Sequence, residues 1–318
     1  MAYLVTGGTG FIGSYVVRNL LQQGEQVVCY QRSPITPLLQ ELVPQELLCK
    51  AKIVQASVAD ALDVFDAVRK HNVDTIIHLA YTIYPQAEQI PPLSLRDSVI
   101  GTNNVFEAAR LFGLKRVVWA STTAVFGRLG KMYGDKPVTE ENVLYQPTRL
   151  YGATKALCEF VAKMYRDQFG VSVIGLRLAR IYGVGKTKGS AAEFTQWLQG
   201  VAWNQPTVIA NGDARWSCAY VEDCARAIIK ACEVPTLKTN IFNFATDTYD
   251  GWQLAQIFRK INPEAQIEVE PGTGVFDFPL LDVNPLHSEL GFTRQYSLEQ
   301  GIKLCLNYFR KQKGLPML

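Results

Sequence analysis

The sequence lacks any apolar run close to the roughly 18 residues needed to cross a bilayer. Its first residues carry no basic stretch and no small-residue cleavage site, so we expect no secretory signal. The 32 basic and 29 acidic residues form no Lys/Arg block, which argues against binding to nucleic acid or to an anionic membrane surface. These absences predict a soluble, cytoplasmic protein with no membrane and no nucleic-acid partner.

Histidine is scarce, and the cysteines show no pairing pattern. The histidines lie far apart and form no ligand pattern with carboxylates, so we predict no metal. The cysteines are odd in number, include no CxxC pair and often lie in apolar segments such as VVCY and KLCLNYF. We therefore expect buried free thiols in a reducing compartment. The residues concerned are His71, His78 and His287, and Cys29, Cys49, Cys158, Cys218, Cys224, Cys232 and Cys305.

Short apolar or β-branched runs alternate with segments of helical apolar spacing through the first half of the 318 residues. This alternation predicts repeated βαβ units, and hence an α/β fold with a Rossmann-type, doubly wound parallel sheet and a smaller C-terminal substrate lobe. The predicted strands are Tyr3–Thr6, Gln26–Tyr30, Lys52–Ala56, Thr75–Leu79, Arg116–Ala120 and Ser172–Leu176. We expect a dinucleotide-binding domain at residues 1–177, with a returning segment at about 207–240. The substrate-binding lobe is expected at residues 178–206 and 241–318.

The stretch TGGTGFIG lies between the first predicted strand and a helical pattern. Glycines Gly7, Gly10 and Gly13 permit a tight turn, a close approach of a pyrophosphate to the backbone, and close packing of helix on sheet. The free N–H groups of a helix beginning near Phe11 and Ile12 would meet the negative charge of that ligand. A βα turn without a ligand is the alternative, but the flanking strand and helix favour dinucleotide binding.

The second strand ends in VVCYQRSP, which has no carboxylate to accept hydrogen bonds from a ribose 2′-hydroxyl. Gln31 is neutral, and Arg32 and Ser33 offer a guanidinium and a hydroxyl that suit a 2′-phosphate. The sequence therefore favours NADP over NAD, with NAD possible. The alternative is that Arg32 is an ordinary solvated side chain.

Tyr151 and Lys155 are four residues apart in RLYGATKALCEFVAKMY, so a helix places them on one face. An adjacent ammonium stabilises a phenolate, and we expect it to lower the pKa of Tyr151 and create a general acid/base. Such pairs also occur by chance on amphipathic helices. Upstream, VVWASTTAVFG ends a strand in Ser121, Thr122 and Thr123, whose hydroxyls either reach the cleft or cap the turn.

Taken together, TGGTGFIG, STTAVFG and YGATK resemble, in this order, the motifs of the extended short-chain dehydrogenase/reductase family. This family includes sugar-nucleotide epimerases and dehydratases and dihydroflavonol-type carbonyl reductases. The resemblance covers nearly the whole chain and includes GDARWSCAYVEDCARAI and LDVNPLHSELGF. It implies that Tyr151 is the acid/base, that Lys155 binds the nicotinamide ribose, and that Thr122 holds the reacting oxygen.

The resemblance also extends to the cofactor end and to the assembly. Arg32, with a proline two residues on, matches the 2′-phosphate arginine of the dihydroflavonol-reductase-like branch. Serines replace the family's Asp at position 57 and its Asn at position 98. A homodimer through the helices that follow Leu95 and Tyr151 is implied. The remaining cofactor contacts implied are Ser57, Val58, Leu79 and Ala80.

Three positions depart from the nucleotide-sugar epimerases. Where those enzymes resemble RDYIHV, this chain has Trp216 in place of the phosphate-binding arginine, with Arg215 one residue earlier. Ile83 replaces a basic residue, and Arg180 replaces a sugar-contacting asparagine. Losing charge-assisted bonds of about 1.5–3 kcal/mol each disfavours a nucleotide sugar. The predicted substrate residues are Tyr81, Thr123, Arg180 and Trp216. The aromatic residues Tyr84, Phe276 and Phe278 are expected near the cleft or packing the second lobe.

The main prediction is an NADP-dependent oxidoreductase that reduces a small carbonyl compound, or oxidises the alcohol, by hydride transfer. The alternative is a nucleotide-sugar epimerase or dehydratase with retained NAD(P). A protein that only binds dinucleotides is a third class. The set of Tyr151, Lys155 and Thr122 argues against that class, because binding alone needs no tuned phenol.

Overall fold

A computed structural model of the chain describes residues 1–142, 144–189, 192–235, 237–273 and 278–318. Phe276, one of the aromatic residues predicted near the cleft, lies outside the described residues. The strands within these ranges are β1 Ala2–Thr6, β2 Gln26–Gln31, β3 Lys52–Gln55, β4 Thr75–His78, β5 Arg116–Thr122, β6 Val173–Leu178, β7 Arg180–Tyr182, β8 Thr207–Ile209, β9 Trp216–Tyr220, β10 Ile241–Phe244, β11 Asp247–Tyr249 and β12 Ile267–Val269.

Helices alternate with the strands in the first half of the chain, as predicted. A π-helical turn, Leu95–Ile100, leads into the seventh helix, and a 3₁₀ turn, Thr123–Phe126, follows β5. The helices in the described ranges are α1 Phe11–Gln22, α2 Pro37–Leu42, α3 Gln45–Leu48, α4 Ala61–Lys70, α5 Gln86–Gln89, α6 Pro91–Ser94, α7 Gly101–Phe112, α8 Gly130–Tyr133, α9 Leu150–Phe169, α10 Ala192–Ala202, α11 Val221–Glu233, α12 Gly251–Ile261, α13 Asn284–Ser288 and α14 Leu298–Gln312.

The large sheet has the strand order β10-β6-β5-β4-β1-β2-β3 in the described residues, and neighbouring strands are parallel. The strand order reverses direction between β1 and β4, so the carboxyl ends of these two strands flank a crevice. All six predicted strands are present as β1–β6, with ends within two residues of the prediction. The predicted Rossmann-type sheet is confirmed.

Apolar side chains cover both faces of the large sheet. In β1, Tyr3 and Val5 belong to one buried cluster, whereas Leu4 belongs to the cluster on the opposite face. This alternation follows from the two-residue period of a strand. The helices α1 and α11 pack together on the first face, and α4, α7 and α9 cover the second.

Two smaller sheets, β11-β9-β7 and β12-β8, are formed by the part of the chain after residue 178. β10, at residues 241–244, joins the large sheet beside β6, although the sequence prediction began the second lobe at residue 241. The division into a dinucleotide-binding domain and a substrate-binding lobe remains a prediction.

The described cysteines are all free thiols, and Cys29, Cys158, Cys218, Cys224 and Cys305 are buried. Cys49 is exposed, contrary to the expected burial, because it ends the short surface helix α3. The described residues contain no helix that is long and apolar enough to span a membrane. Nor do they hold a cluster of His, Cys, Asp or Glu that could bind a metal ion.

Candidate active site

A cavity of ≈ 400 Å³ opens at the carboxyl ends of β1, β4, β5 and β6. It lies at the reversal of strand order, where ligands bind in open α/β sheets. The predicted site residues that line it are Gly7, Gly10, Phe11, Ile12, Gly13, Leu79, Tyr81, Thr122, Thr123, Tyr151, Lys155 and Arg180, together with Tyr84 and Phe278. The predicted residues outside this lining are Arg32, Ser33, Ser57, Val58, Ala80 and Trp216.

The glycine turn has no room for side chains. A Cβ atom on Gly13 would lie 2.1 Å from the Gly7 carbonyl oxygen, and Gly7 has a φ of +68°. No side chain caps the N-terminus of α1, and its first turn carries no acidic residue. The open helix terminus and the closely packed backbone fit the pyrophosphate of a dinucleotide.

At the carboxyl end of β2, Gln31 is only 5% exposed, and neither atom of its amide has a hydrogen-bond partner among the described residues. Arg32 pairs with Asp97 through Nη1, and Arg96 pairs with the same carboxylate at 2.9 Å. Two positive charges and one negative charge leave this cluster with one net positive charge. An amide that can bond ribose hydroxyls and a net positive cluster both fit the adenosine end of NAD(P). Ser33 is exposed beside them.

The other predicted cofactor contacts have local structural roles. The Ser57 hydroxyl accepts a hydrogen bond from the Ala59 amide at 3.2 Å, and the buried Val58 packs under Gly101. The Ser98 hydroxyl accepts from the Thr82 amide at 3.3 Å. Contacts of Ser57, Val58 and Ala80 with a cofactor remain predictions.

The predicted acid/base pair comes together at the cavity. Tyr151 lies in the first turn of α9 and Lys155 one turn later, and Thr122 ends the adjacent strand β5. The Thr122 hydroxyl accepts a hydrogen bond from the Ala124 amide at 3.2 Å and is hydrogen-bonded to the Tyr151 phenol. Thr122 therefore both caps the turn and faces the cavity, whereas the sequence had left these roles as alternatives.

Burial controls the pKa values of this pair. It raises the pKa of Tyr151, while the hydrogen bond with Thr122 lowers it. This direction is opposite to the predicted one because burial, which disfavours the charged phenolate, is the largest effect, and the Lys155 ammonium donates to the Ala120 carbonyl and lies over the Tyr81 ring. Burial also lowers the pKa of Lys155 to about 7. The ammonium is thus close to its titration point at neutral pH.

A buried ion pair lies next to the Tyr151–Lys155 pair, and its carboxylate is on the same helix. Glu159, one turn beyond Lys155 on α9, bonds Arg177 of β6 at 2.8 Å, with side chains 4% and 1% exposed. The Ser121 hydroxyl donates to the same carboxylate, as does the Tyr145 phenol at 2.7 Å. The carboxylate therefore ties α9 to the ends of β5 and β6. Ser121 also lines the cavity, and its hydroxyl is engaged by this bond.

The N-terminus of α9 is capped from another part of the chain. Its N-cap residue, Arg149, makes no side-chain capping bond. Instead, the carboxylate of Glu88 accepts from the amides of Leu150 at 3.2 Å and Tyr151 at 3.1 Å. Glu88 thereby fixes the backbone of the predicted acid/base.

The cavity has a cationic lining. Six basic side chains face it, and no carboxylate lines it in the described part of the chain. Arg180 stacks on the buried Trp216 with 3.4 Å between the guanidinium carbon and the ring centroid, and Arg149 stacks on Tyr84 at 3.8 Å. The basic residues are Arg128, Arg149, Lys155, Arg180, Lys186 and Arg215.

Sequence reasoning missed Glu88, Glu159 and Lys186 as site residues. Glu88 and Glu159 act through partners 62 and 18 residues away, which no local spacing reveals. The one sequence signal for Glu159 is its position four residues after Lys155, which places both on the same face of α9. Gln31 was noticed because it is neutral at a position where a carboxylate would indicate NAD, but its burial could not be predicted from the sequence.

Comparison with known proteins places the chain in a family. The family model described as "NAD dependent epimerase/dehydratase family" matches residues 3–245. The UDP-glucose 4-epimerase of Mycolicibacterium smegmatis is 28% identical over 322 residues, covering 98% of this chain and 99% of the relative.

Two solved structures are similar over their whole length. The Thermotoga maritima UDP-glucose 4-epimerase with UDP-glucose has a TM-score of 0.82 and 26% identity, covering 98% of this chain and 100% of that chain. The L-threonine dehydrogenase of Clostridium difficile has a TM-score of 0.84 and 25% identity, covering 99% of each chain. With its glycine turn, its Tyr151–Lys155 pair and this similarity, the chain belongs to the NAD-dependent epimerase/dehydratase family.

Proposed function

We propose that this protein is an epimerase or dehydratase that acts on a nucleoside-diphosphate sugar and keeps its NAD(P) bound through the reaction. The observation that carries the proposal is the cationic lining of the cavity: six basic side chains and no described carboxylate line it, although one of the six, Arg215, pairs at 2.8 Å with Asp135 outside the lining. Such a lining suits a ligand with several negative charges. The cofactor supplies one pyrophosphate, and a nucleotide sugar supplies another.

The missing arginine at position 216 argued against this substrate class, but cationic groups are available from nearby residues. Arg215, which also pairs with Asp135 at 2.8 Å, and Arg180, which stacks on the buried Trp216, both line the cavity. Trp216 supports the Arg180 guanidinium from below. The similarity to UDP-glucose 4-epimerases supports the same substrate class.

The residues of the cavity suit an oxidation followed by a reduction at one carbon. When bound, the nicotinamide supplies the site that accepts and returns hydride. The Thr122 hydroxyl holds the reacting oxygen of the substrate. Tyr151, once deprotonated, takes the proton from the substrate's hydroxyl and later returns it. A positive charge on Lys155, one helical turn away, favours the deprotonated form of Tyr151. Return of hydride to the opposite face of the carbon would invert it, with no net oxidation.

The proposal is tested with purified protein and a panel of UDP-sugars and other nucleotide sugars, without added cofactor. NMR spectra would record conversion to the epimer or to the dehydrated sugar. We expect conversion that a Tyr151→Phe variant lacks. Absence of any product across the panel, together with oxidation of added NADPH by simple ketones, would contradict the proposal.

A second candidate is the NADP-dependent carbonyl reductase, favoured by one observation. At the expected site of the adenosine ribose, position 31 is a glutamine and not an acidic residue. The neighbouring cluster of Arg32, Arg96 and Asp97 has a net positive charge. This arrangement favours a 2′-phosphate over a hydroxyl. The similarity to an L-threonine dehydrogenase is compatible with net oxidation of an alcohol. Net consumption of NADPH with an added carbonyl compound distinguishes this candidate from the first.

A further inference from the structure

Tyr81 was predicted as a substrate contact, but its ring lies against both members of the acid/base pair. The Lys155 Nζ atom is 3.2 Å from the centroid of the Tyr81 ring. The ring of Tyr151 packs edge-on against Tyr81, with centroids 5.9 Å apart and an interplanar angle of 83°. One aromatic ring therefore fixes where the ammonium and the phenol lie relative to each other.

The ammonium of Lys155 has little other compensation for its burial. It donates to the Ala120 carbonyl, and the ring of Trp119 is farther away, at 5.3 Å. Lys155 forms no ion pair with a described carboxylate, since Glu159 is engaged by Arg177. Besides the Ala120 carbonyl, the negative face of the Tyr81 ring is then the group in closest contact with the charge.

The titratable groups around Lys155 come from α9 and from the end of β4 with the loop that follows it. Cys158 and Glu159 lie on its own helix, and both raise the pKa of Lys155. His78 at the end of β4 hydrogen-bonds Thr6 and Thr102, and burial lowers the pKa of His78 to about 3, so this imidazole is neutral. The phenols of Tyr81 and Tyr151 are also neutral at pH 7, because burial raises the pKa of each.

We propose that Tyr81 is a positioning residue whose ring face holds the Lys155 ammonium beside Tyr151 and stabilises the charged form of Lys155. The functional part of this proposal rests on the acid/base roles proposed above for Tyr151 and Lys155. The ring is held in turn by its own contacts. Its hydroxyl lies 3.7 Å from the Cys158 Sγ atom, and a hydrogen bond links it to Thr154.

The test measures the titration of Lys155 in the full-length protein carrying isotope-labelled lysine. A Lys155→Met variant assigns the NMR signal by removing it. A desolvated cation–π contact of about 1–2 kcal/mol corresponds to a shift of about one pKa unit. We expect Tyr81→Leu to lower the pKa of Lys155 by about that amount, and Tyr81→Phe to leave it nearly unchanged, since the ring remains.

A second pair of variants keeps the shape of the ring constant, in case the leucine variant fails to fold. Replacement of Tyr81 by pentafluorophenylalanine reverses the charge distribution of the ring face. We expect the pKa of Lys155 to be lower in the pentafluorophenylalanine variant than in Tyr81→Phe. The two variants should have the same melting temperature. Equal pKa values in these two variants would overturn the proposal.

Turnover gives an independent readout once a substrate is known. The alkaline limb of the kcat profile should move to lower pH in Tyr81→Leu by the same amount as the Lys155 titration, with KM unchanged. A change in KM alone would mean that Tyr81 only contacts substrate, and would contradict the positioning role. The titration requires no substrate, so its outcome stands even if the proposed reaction is wrong.

Discussion

The Tyr151 phenol lies one helical turn from Lys155 and is hydrogen-bonded to Thr122. Tyr151→Phe removes the proton donor and keeps the ring that packs on Tyr81. We expect turnover to fall by about 10²–10⁴-fold, which is the usual contribution of general acid/base catalysis. Cofactor affinity, measured by fluorescence titration, should stay within a few-fold. Near-normal turnover would rule out Tyr151 as the acid/base.

Arg32 shares Asp97 with Arg96, so the charge it presents to a 2′-phosphate is partly neutralised. Arg32→Ala should weaken NADP binding by about 10- to 100-fold and leave NAD binding nearly unchanged, since charge-assisted bonds contribute about 1.5–3 kcal/mol. Asp97→Asn should strengthen NADP binding instead, by freeing both guanidinium groups.

The control for this pair is Asp66→Asn, which removes the partner of Arg69 in an exposed ion pair on α4. Calorimetric titration with both cofactors would compare the variants. Equal losses for NADP and NAD in Arg32→Ala would mean that Arg32 has no role in cofactor choice.

Local sequence motifs identified the candidate catalytic residues. They did not identify the residues that contact them. The spacing of Tyr151 and Lys155 predicted a shared helix face, and the structure confirms that geometry. The predicted direction of the Tyr151 pKa shift was wrong because burial raises this pKa, and the sequence reveals neither that burial nor the position of the ammonium over Tyr81. The pKa values of the site depend on burial and on contacts between residues that are far apart in the sequence. Neither can be read from a short stretch of sequence.

Among the structural elements, α9 depends on a carboxylate from the α5 segment. Glu88 accepts from the first amides of α9, where an N-cap side chain usually does so. We expect Glu88→Ala to lower the free energy of unfolding by about 1–2 kcal/mol and to reduce kcat, because the backbone of Tyr151 loses its anchor. Urea denaturation and turnover measure the two effects.

Glu88→Gln is the matched variant, because it keeps an acceptor oxygen and removes the charge. It should retain most of the stability and most of the turnover. If Glu88→Ala has wild-type stability and kcat, the cap has no importance for the helix or the site.

The elements of the first half followed from sequence patterns because each buried strand is a continuous apolar run between helical segments. The short strands β7–β9, β11 and β12 have three to five residues, too few for a periodic pattern to emerge. β10 joins β6 after more than 60 intervening residues, and only the tertiary structure defines that pairing.

At the scale of the whole molecule, α7 and α9 pack side by side and expose apolar side chains. Leu157 and Phe160 on α9 are 47% and 59% exposed, and Ile100, just before α7, is 50% exposed. We propose a homodimer through this face. Sedimentation velocity at micromolar concentration should give a dimer for the wild-type protein, and Phe160→Lys should shift it to the monomer.

The control for the dimer is Leu304→Lys on α14, which changes an exposed apolar residue on a different helix. It should leave the sedimentation coefficient unchanged. A wild-type protein that sediments as a monomer would remove this proposal.

The buried Glu159–Arg177 pair has a consequence for motion. It locks α9 to β5 and β6, so that the wall carrying Tyr151, Lys155 and Thr122 moves as a rigid body. Separating these elements would leave an unpaired charge in the protein interior. Any closure around a ligand must therefore come from other parts of the lining, which include Arg215, Phe278 and Leu281. Amide hydrogen exchange should be slow in α9, β5 and β6 with or without ligand, and ligand-dependent only in those other parts.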